Sequence, residues 1–345
     1  MMKYFVTAHT SEGLVNYLLT NVTDIDRVIV LQHPSNVIKT KILKGLIHFY
    51  QSEYDIEMIC SPDDKNYIDG IIVRNISLAV VADHIVQNTQ LSAQTIQLEN
   101  YINHHEQNAN LSYLNKEKMR LQEKAYAHFK AALMIHDQLE DVYINEMDFE
   151  EADKIAEQFM TKLFKDIPVR QNEATVYERL FGTNTPDGFM NYLEELIEPV
   201  SKRIFIKGRA GTGKSFFMNK VLKATTEHGF HIELYRCSFD PNSIDMLIIR
   251  ELDICLFDST PPHELFPSRK TDEIIDFYEK TVTPGTDEKY ASIIQQLTKN
   301  YQAEMRIGRE KLQATKLLEA HKESAWENVS EDDLQKIVQE IVKEK

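Results

Sequence analysis

Short apolar runs bounded by charged or turn-forming residues recur along the chain. Arg27–Leu31 and Arg203–Lys207 are rich in Val, Ile, Leu and Phe, which predicts buried strands. His231–Ser238 alternates apolar and polar residues and predicts a further strand. Met246–Leu252 and Ile254–Phe257 are two apolar runs separated by a single acidic residue, so we expect a tight hairpin there.

Two long polar segments carry apolar residues at helical spacing. One is about Asn115–Leu139, and the other is about Tyr290–Glu323, in which Gly308 interrupts the pattern. Each is followed by an N-cap residue with an acid three positions later, in Asp148–Glu151 and Ser330–Asp333, and then by an amphipathic helix. We expect these helices either to form hairpins on their own halves or to pair the two halves.

Residues 5–18 and 180–193 are two copies of one pattern. Five residues recur 175 positions later (185 − 10 = 175): Thr10, Gly13, Asn16, Tyr17 and Leu18 as Thr185, Gly188, Asn191, Tyr192 and Leu193. Asp83 recurs in the same way as Asp258. The chain is therefore interpreted as a duplication with domains at 1–165 and 175–345, each with a helical extension, joined by a linker at about Lys165–Ala174.

The segment Gly208–Ser215 (GRAGTGKS) fits the P-loop pattern G-x-x-x-x-G-K-[ST] between a predicted strand and a predicted helix. Glycines let successive N–H groups point at phosphate oxygens, and the helix N-terminus adds positive potential. Lys214 is then placed to reach the β- and γ-phosphates. The predicted nucleotide contacts are Gly208, Arg209, Ala210, Gly211, Thr212, Gly213, Lys214, Ser215 and Phe216.

Asp258 ends an apolar run in the manner of a Walker B acid, so we expect it to hold Mg²⁺ together with Ser215. Lys214 and Asp258 are the predicted catalytic residues. No acid follows Asp258 to orient an attacking water, since Ser259 and Thr260 come next. Substitutes are sought among Asp240, His263, Glu264, Asp272 and Glu273, and γ-phosphate clamps among Arg209, Arg236 and Arg269.

The first copy has lost the glycines of this motif. At the same spacing, His33, Asn36 and Ile38 replace Gly208, Gly211 and Gly213, and only Lys39-Thr40 survives. Side chains at these positions disfavour the positive φ angles of the loop and fill phosphate space. The first copy is either a pseudo-site that preserves the fold or a weak nucleotide site that uses Lys39.

The composition narrows the function classes. The chain has 345 residues, of which 42% are hydrophobic and 27% charged, and a net charge of −15 that argues against diffuse nucleic-acid binding. Three scattered cysteines do not make a disulfide framework or a zinc site. Because the sequence lacks a signal-peptide core and a membrane-length apolar run, we expect a cytoplasmic protein with no membrane partner.

Four segments, Lys207–Ser215, Cys237–Met246, Leu256–His263 and Pro284–Lys289, make the second copy resemble an uncharacterised bacterial family of two-repeat P-loop ATPases. The resemblance implies ATP or another nucleotide, Mg²⁺ and two tandem three-layer α/β domains of the P-loop NTPase type. Members of that family generally have two P-loop halves, and the first half of this chain departs from them.

The leading hypothesis is an ATPase with one competent C-terminal site that is regulated by the degenerate N-terminal repeat. A kinase that transfers phosphate to a small molecule is the second hypothesis, because an acceptor would replace the water that the missing acid orients. The third is a nucleotide-binding scaffold without hydrolysis, whose acidic helical extensions recruit a protein partner.

Overall fold

Each half of the chain forms one six-stranded mixed sheet with helices packed against it. The computed structural model describes residues 1–87, 89–102, 110–326 and 329–343. No helix among them has the length and apolarity needed to cross a membrane.

The elements of the first half are β1 (Met2–Tyr4), β2 (Thr7–Thr10), β3 (Gly13–Asn16), α1 (Leu18–Val22), β4 (Arg27–Gln32), α2 (Asn36–Tyr50), β5 (Glu57–Cys60), β6 (Ile68–Val73), β7 (Leu78–Ala82), β8 (Gln94–Gln97), α3 (Leu111–Ile144) and α4 (Phe149–Phe164). Those of the second half are β9 (Val176–Arg179), β10 (Gly182–Thr185), β11 (Gly188–Asn191), α5 (Leu193–Ile197), β12 (Lys202–Lys207), α6 (Lys214–Glu227), β13 (Ile232–Arg236), β14 (Ile244–Ile249), β15 (Ile254–Asp258), β16 (Glu273–Asp276), α7 (Phe277–Thr281), α8 (Thr286–Lys289), α9 (Ala291–Glu323) and α10 (Glu331–Lys343).

The two sheets have the same topology. The strand order is β1-β5-β6-β7-β4-β8 in the first and β9-β13-β14-β15-β12-β16 in the second. In both sheets the third strand of that order is antiparallel to its two neighbours, and the remaining pairs are parallel. The repeat seen in the sequence is therefore matched strand by strand.

Two local predictions hold in the structure. β14 and β15 form the expected antiparallel hairpin, with Ile249 opposite Ile254 and Asp253 in the left-handed region at φ 50°. Helix α4 begins after Asp148, whose carboxylate accepts the N–H of Glu151 at 2.9 Å. Turn and cap residues thus act locally, as the sequence pattern indicates.

Alternate residues of the central strands face different cores. Val28 of β4 and Phe205 of β12 face an inner core that the two sheets share with α1 and α5. Their neighbours Ile29 and Ile204 face two outer cores, one on each sheet. Because both faces are covered, these strands are apolar throughout rather than alternating.

The two repeats pack about an approximate two-fold axis. Phe5 and Leu180 are equivalent positions (180 − 5 = 175), and each donates its N–H to the carbonyl of the other at 2.9 Å. A mutual contact between equivalent residues is the mark of an isologous interface. The chain therefore resembles a symmetric dimer joined covalently.

The amphipathic helix after each repeat packs on the sheet of the other repeat. Ile155 and Phe159 of α4 enter the outer core of the second sheet, and Leu334 and Ile337 of α10 enter that of the first. Of the two arrangements expected for the extensions, the structure has the one that pairs the halves. A cut in the linker at 165–174 would separate each sheet from a helix that covers it.

The long helices α3 and α9 pair antiparallel to each other. Lys118, near the start of α3, lies 3.2 Å from Glu319, near the end of α9. Helix α9 continues through Gly308 without a break, and a Cβ at this position would lie 2.4 Å from the ring of Phe129. Gly308 therefore serves close packing of the two helices.

Candidate functional site

The loop between β12 and α6 turns sharply. Gly211 and Gly213 have φ angles of 73° and 86°, which favour glycine. Gly208 is required for space, since a Cβ there would lie 2.5 Å from Thr212 Oγ1. Thr212 donates its hydroxyl to the Arg209 carbonyl at 2.9 Å and braces the loop. The loop thus leads into the N-terminus of α6, where free backbone N–H groups favour the binding of an anion.

Two side chains of opposite charge meet beside this loop. Strand β15 runs parallel to β12, so that Asp258 lies beside Ile206. Lys214 Nζ is 3.6 Å from Asp258 Oδ2 and 2.6 Å from the Arg209 carbonyl oxygen. Thr260 donates its hydroxyl to Asp258 Oδ1 at 2.6 Å, which orients the carboxylate.

A cavity of about 870 Å³ opens over the loop. All nine residues of the predicted nucleotide contact, from Gly208 to Phe216, line it together with Asp258. Residues of α3 and of the start of α4, which belong to the first repeat, also line it, as does Tyr301 of α9. Both repeats therefore build this cavity. Ser215 and Asp258 supply hydroxyl and carboxylate oxygens to it, the donors that Mg²⁺ prefers.

Helix α3 brings three residues to the cavity that the sequence analysis did not select: His136, Asp137 and Glu140. Their ligand atoms lie within 4.8 Å of one another. Burial lowers the pKa of His136, while burial and neighbouring acids raise the pKa of Glu140. The sequence carried little sign of this, because acids and histidines on a long polar helix are ordinarily solvated.

Asp245 is a second group that the sequence analysis did not select. It lies on β14, is 9% exposed and lines the cavity. Burial raises its pKa to about 6, partly offset by His263, whose Nε2 is 3.8 Å away. An acid inside the apolar run Ile244–Ile249 was the signal available, since a buried carboxylate is unfavourable unless it is paired.

The other candidates for a water-orienting residue or a γ-phosphate clamp fall into two groups, those that line the cavity and those that form ion pairs. Asp240 and His263 line the cavity. The remaining ones are paired elsewhere: Glu264 with Lys207, Asp272 with Arg203, Glu273 with Lys162 and Lys202, Arg236 with Glu178, and Arg269 with Glu198. The guanidinium of Arg209 pairs with Asp287 at 3.0 Å and covers the Tyr278 ring.

In the first repeat, helix replaces the loop. Helix α2 begins at Asn36, the equivalent of Gly211 (211 − 36 = 175), whereas α6 begins three residues later in its own repeat. Ser35 caps α2 by accepting the N–H of Ile38 at 3.1 Å. Lys39 is buried and lies 2.6 Å from Asp83, so the surviving lysine is held in an internal ion pair.

Comparison with protein-family models, curated proteins and solved structures finds no match for this chain.

Proposed function

We propose that the second repeat binds a nucleoside triphosphate, with ATP as the first choice, and hydrolyses it slowly. The observation that carries the proposal is that Lys214 and Asp258 lie close together beside a glycine-rich loop. This loop leads into the N-terminus of α6 and lines a cavity of about 870 Å³. Such a loop is a P-loop in sequence and suits phosphate in its backbone geometry. A cytoplasmic location would give it ATP and Mg²⁺.

In this proposal the backbone N–H groups of the loop bind the phosphates and Lys214 offsets their charge. Ser215 and Asp258 would hold Mg²⁺, which supplies further neutralisation of the phosphate oxygens. The cavity holds two further candidates for orienting a water molecule, Asp240 and His263.

Phosphate release from ATP with Mg²⁺ tests the proposal. Lys214→Ala should reduce it by about a hundredfold, because one charge-stabilising group is lost. Lys223→Ala is the matched control, since Lys223 is exposed on the same helix α6 and its side chain points to solvent. Equal activity in wild type and Lys214→Ala would reject the site.

Phosphoryl transfer to a small acceptor is the second candidate. One observation favours it: the cavity extends from the loop to a wall with aromatic and acidic groups, including Phe239, Tyr301 and Asp137. A triphosphate cradle alone needs no such wall. ATP consumption that appears only when a metabolite extract is added would favour transfer over hydrolysis.

A further inference from the structure

The hairpin of β14 and β15 carries two acids at facing positions. Met246 pairs with Phe257 in the antiparallel register, so the next residues outward along the two strands, Asp245 and Asp258, face each other. Facing residues of antiparallel strands point to the same side of a sheet, with Cβ atoms about 5 Å apart. Both carboxylates line the cavity over the glycine-rich loop.

The side of the sheet that carries this pair is the side on which α6 packs. Leu247 and Leu256, each two residues inward from one of the acids, belong to the outer core of the second sheet. Because side chains alternate along a strand, Asp245 and Asp258 point to this side as well. Ser215, in the first turn of α6, lines the same cavity. One hydroxyl and two carboxylates therefore face the cavity from the same side of the sheet.

Asp245 has no close cationic partner among the described residues. It is 9% exposed, and the nearest ring nitrogen, His263 Nε2, is 3.8 Å from its Oδ2, beyond hydrogen-bond distance. The other nitrogen of this ring, Nδ1, already lies 2.9 Å from the Asp258 carbonyl oxygen. The thiol of Cys237 also lines the cavity, but a thiol is only a weak donor. Because a buried carboxylate without a partner is unfavourable, this position favours a cation.

The first repeat has an equivalent of Asp245 that is held by its own histidine. The hairpin turns of the two repeats align at Ser77 and Asp253, which have φ angles of 51° and 50° (253 − 77 = 176). The same spacing makes Asp69 the equivalent of Asp245 (245 − 69 = 176). Asp69 Oδ1 lies 3.1 Å from His84 Nε2, so this acid has a partner within hydrogen-bond distance.

The position that faces Asp69 has no carboxylate. The register of β6 and β7 places Ala82 there. Asp83, the next residue along the chain, pairs with Lys39 at 2.6 Å. The facing pair of carboxylates is thus present in the repeat that has the glycine-rich loop and absent from the described strands of the repeat that lacks it.

We propose that Asp245 is a second carboxylate ligand of the divalent cation in the second repeat, which it holds together with Asp258 and Ser215. This role rests on the proposed function, since the ion is the one that would accompany the nucleotide. Two facing carboxylates and a hydroxyl offer a hard cation three oxygen ligands before any phosphate is present. The ion therefore binds to the free protein, and the nucleotide enters a site whose negative charge is already reduced.

Titration of the full chain with Mn²⁺ alone tests this role, because Mn²⁺ takes the same oxygen ligands as Mg²⁺ and its free form has a strong EPR signal. Wild type should bind Mn²⁺ without nucleotide. Asp245→Asn keeps the shape of the side chain but not its charge, and it should bind at least about tenfold more weakly. Asp153→Asn is the matched control, because Asp153 lines the same cavity but pairs with Lys220 at 2.7 Å.

A different set of ligands in the same cavity is tested in parallel. His136, Asp137 and Glu140 of α3 have ligand atoms within 4.8 Å of one another. Mn²⁺ affinity that is lost in Glu140→Gln and equal to wild type in Asp245→Asn would place the ion on α3 and overturn the proposal. Absence of Mn²⁺ binding to nucleotide-free wild type would overturn it as well.

Two further measurements keep this proposal separate from that of nucleotide binding. Mn²⁺ should raise the Tm of wild type more than that of Asp245→Asn, and the same unfolding curves show that each variant is folded. Calorimetry with Mg²⁺ and the β,γ-imido analogue of ATP measures nucleotide binding. If the analogue binds to wild type but Mn²⁺ alone does not, the role of Asp245 is rejected and the nucleotide site stands. If Mn²⁺ binds through Asp245 but the analogue does not bind, the metal site stands and the nucleotide proposal fails.

Discussion

The glycine-rich loop of the second repeat and its equivalent in the first repeat show how such a loop is replaced by helix without loss of the fold. The second repeat has Gly211 and Gly213 at positive φ. At the equivalent positions of the first repeat the chain is already helical, because α2 begins at Asn36. The strand before and the helix after are retained in both. Glycine at these positions thus favours a loop over a turn of helix, and the sheet has the same topology in both cases.

Charge follows the same division. Lys39 and Asp83 form a close pair at 2.6 Å, with Lys39 buried, whereas Lys214 and Asp258 are 3.6 Å apart on the wall of a cavity. Lys39 and Asp83 therefore neutralise each other inside the protein. Lys214 and Asp258 line the cavity, where a ligand can contact them.

The largest effect is expected at Gly211. Gly211→Ala adds a Cβ 2.5 Å from the backbone of Glu140 in a left-handed conformation, and we expect a loss of about 3 kcal/mol in the free energy of unfolding. Urea denaturation measures it. Gly285→Ala is the control, because Gly285 has φ 86° and nothing within 4 Å. Equal losses in the two variants would show that α3 does not press on the loop.

Substitution of Lys39 and of Lys214 should affect different properties of the protein. Lys39→Ala leaves Asp83 without its buried partner, so we expect a loss of about 3 kcal/mol in unfolding free energy and retained nucleotide binding. Lys214→Ala should show the reverse, with stability nearly unchanged and binding lost. Denaturation and calorimetry on both variants check this. Loss of binding in Lys39→Ala, at a temperature where it is folded, would mean that the first site takes part.

The raised pKa of Asp245, about 6, predicts a pH-dependent stability. Because the folded protein holds this proton more tightly than the unfolded chain, unfolding free energy should fall as pH rises from about 4 to about 6. The loss reaches about 3 kcal/mol above that window. Asp245→Asn should remove this part of the profile and be the more stable protein at neutral pH. An identical slope in wild type and variant, measured by denaturation at several pH values, would contradict the assignment.

Local features of this fold were predictable, and contacts between the repeats were not. The hairpin ending at Asp258 and the cap at Asp148 follow from neighbouring residues, so the sequence pattern was sufficient. The amphipathic pattern of α4 shows which side of the helix is buried, but it carries no information about which sheet covers it. The close approach of Glu140 to Gly211 was unpredictable for the same reason, since it depends on α3 of the first repeat crossing the loop of the second.

The smallest effect is expected at Phe216, which lines the cavity and is 52% exposed as a residue. Its equivalent in the first repeat is Lys41 (216 − 175 = 41), which pairs with Glu331 and offers no ring. If the nucleotide base stacks on Phe216, Phe216→Ala should weaken binding by about fivefold, or about 1 kcal/mol. Phe266→Ala is the control, because Phe266 is 72% exposed and lies outside the cavity lining. Calorimetry with the ATP analogue and with inorganic triphosphate separates base from phosphate: the loss should appear only with the analogue, and an equal loss with both would place Phe216 at the phosphates.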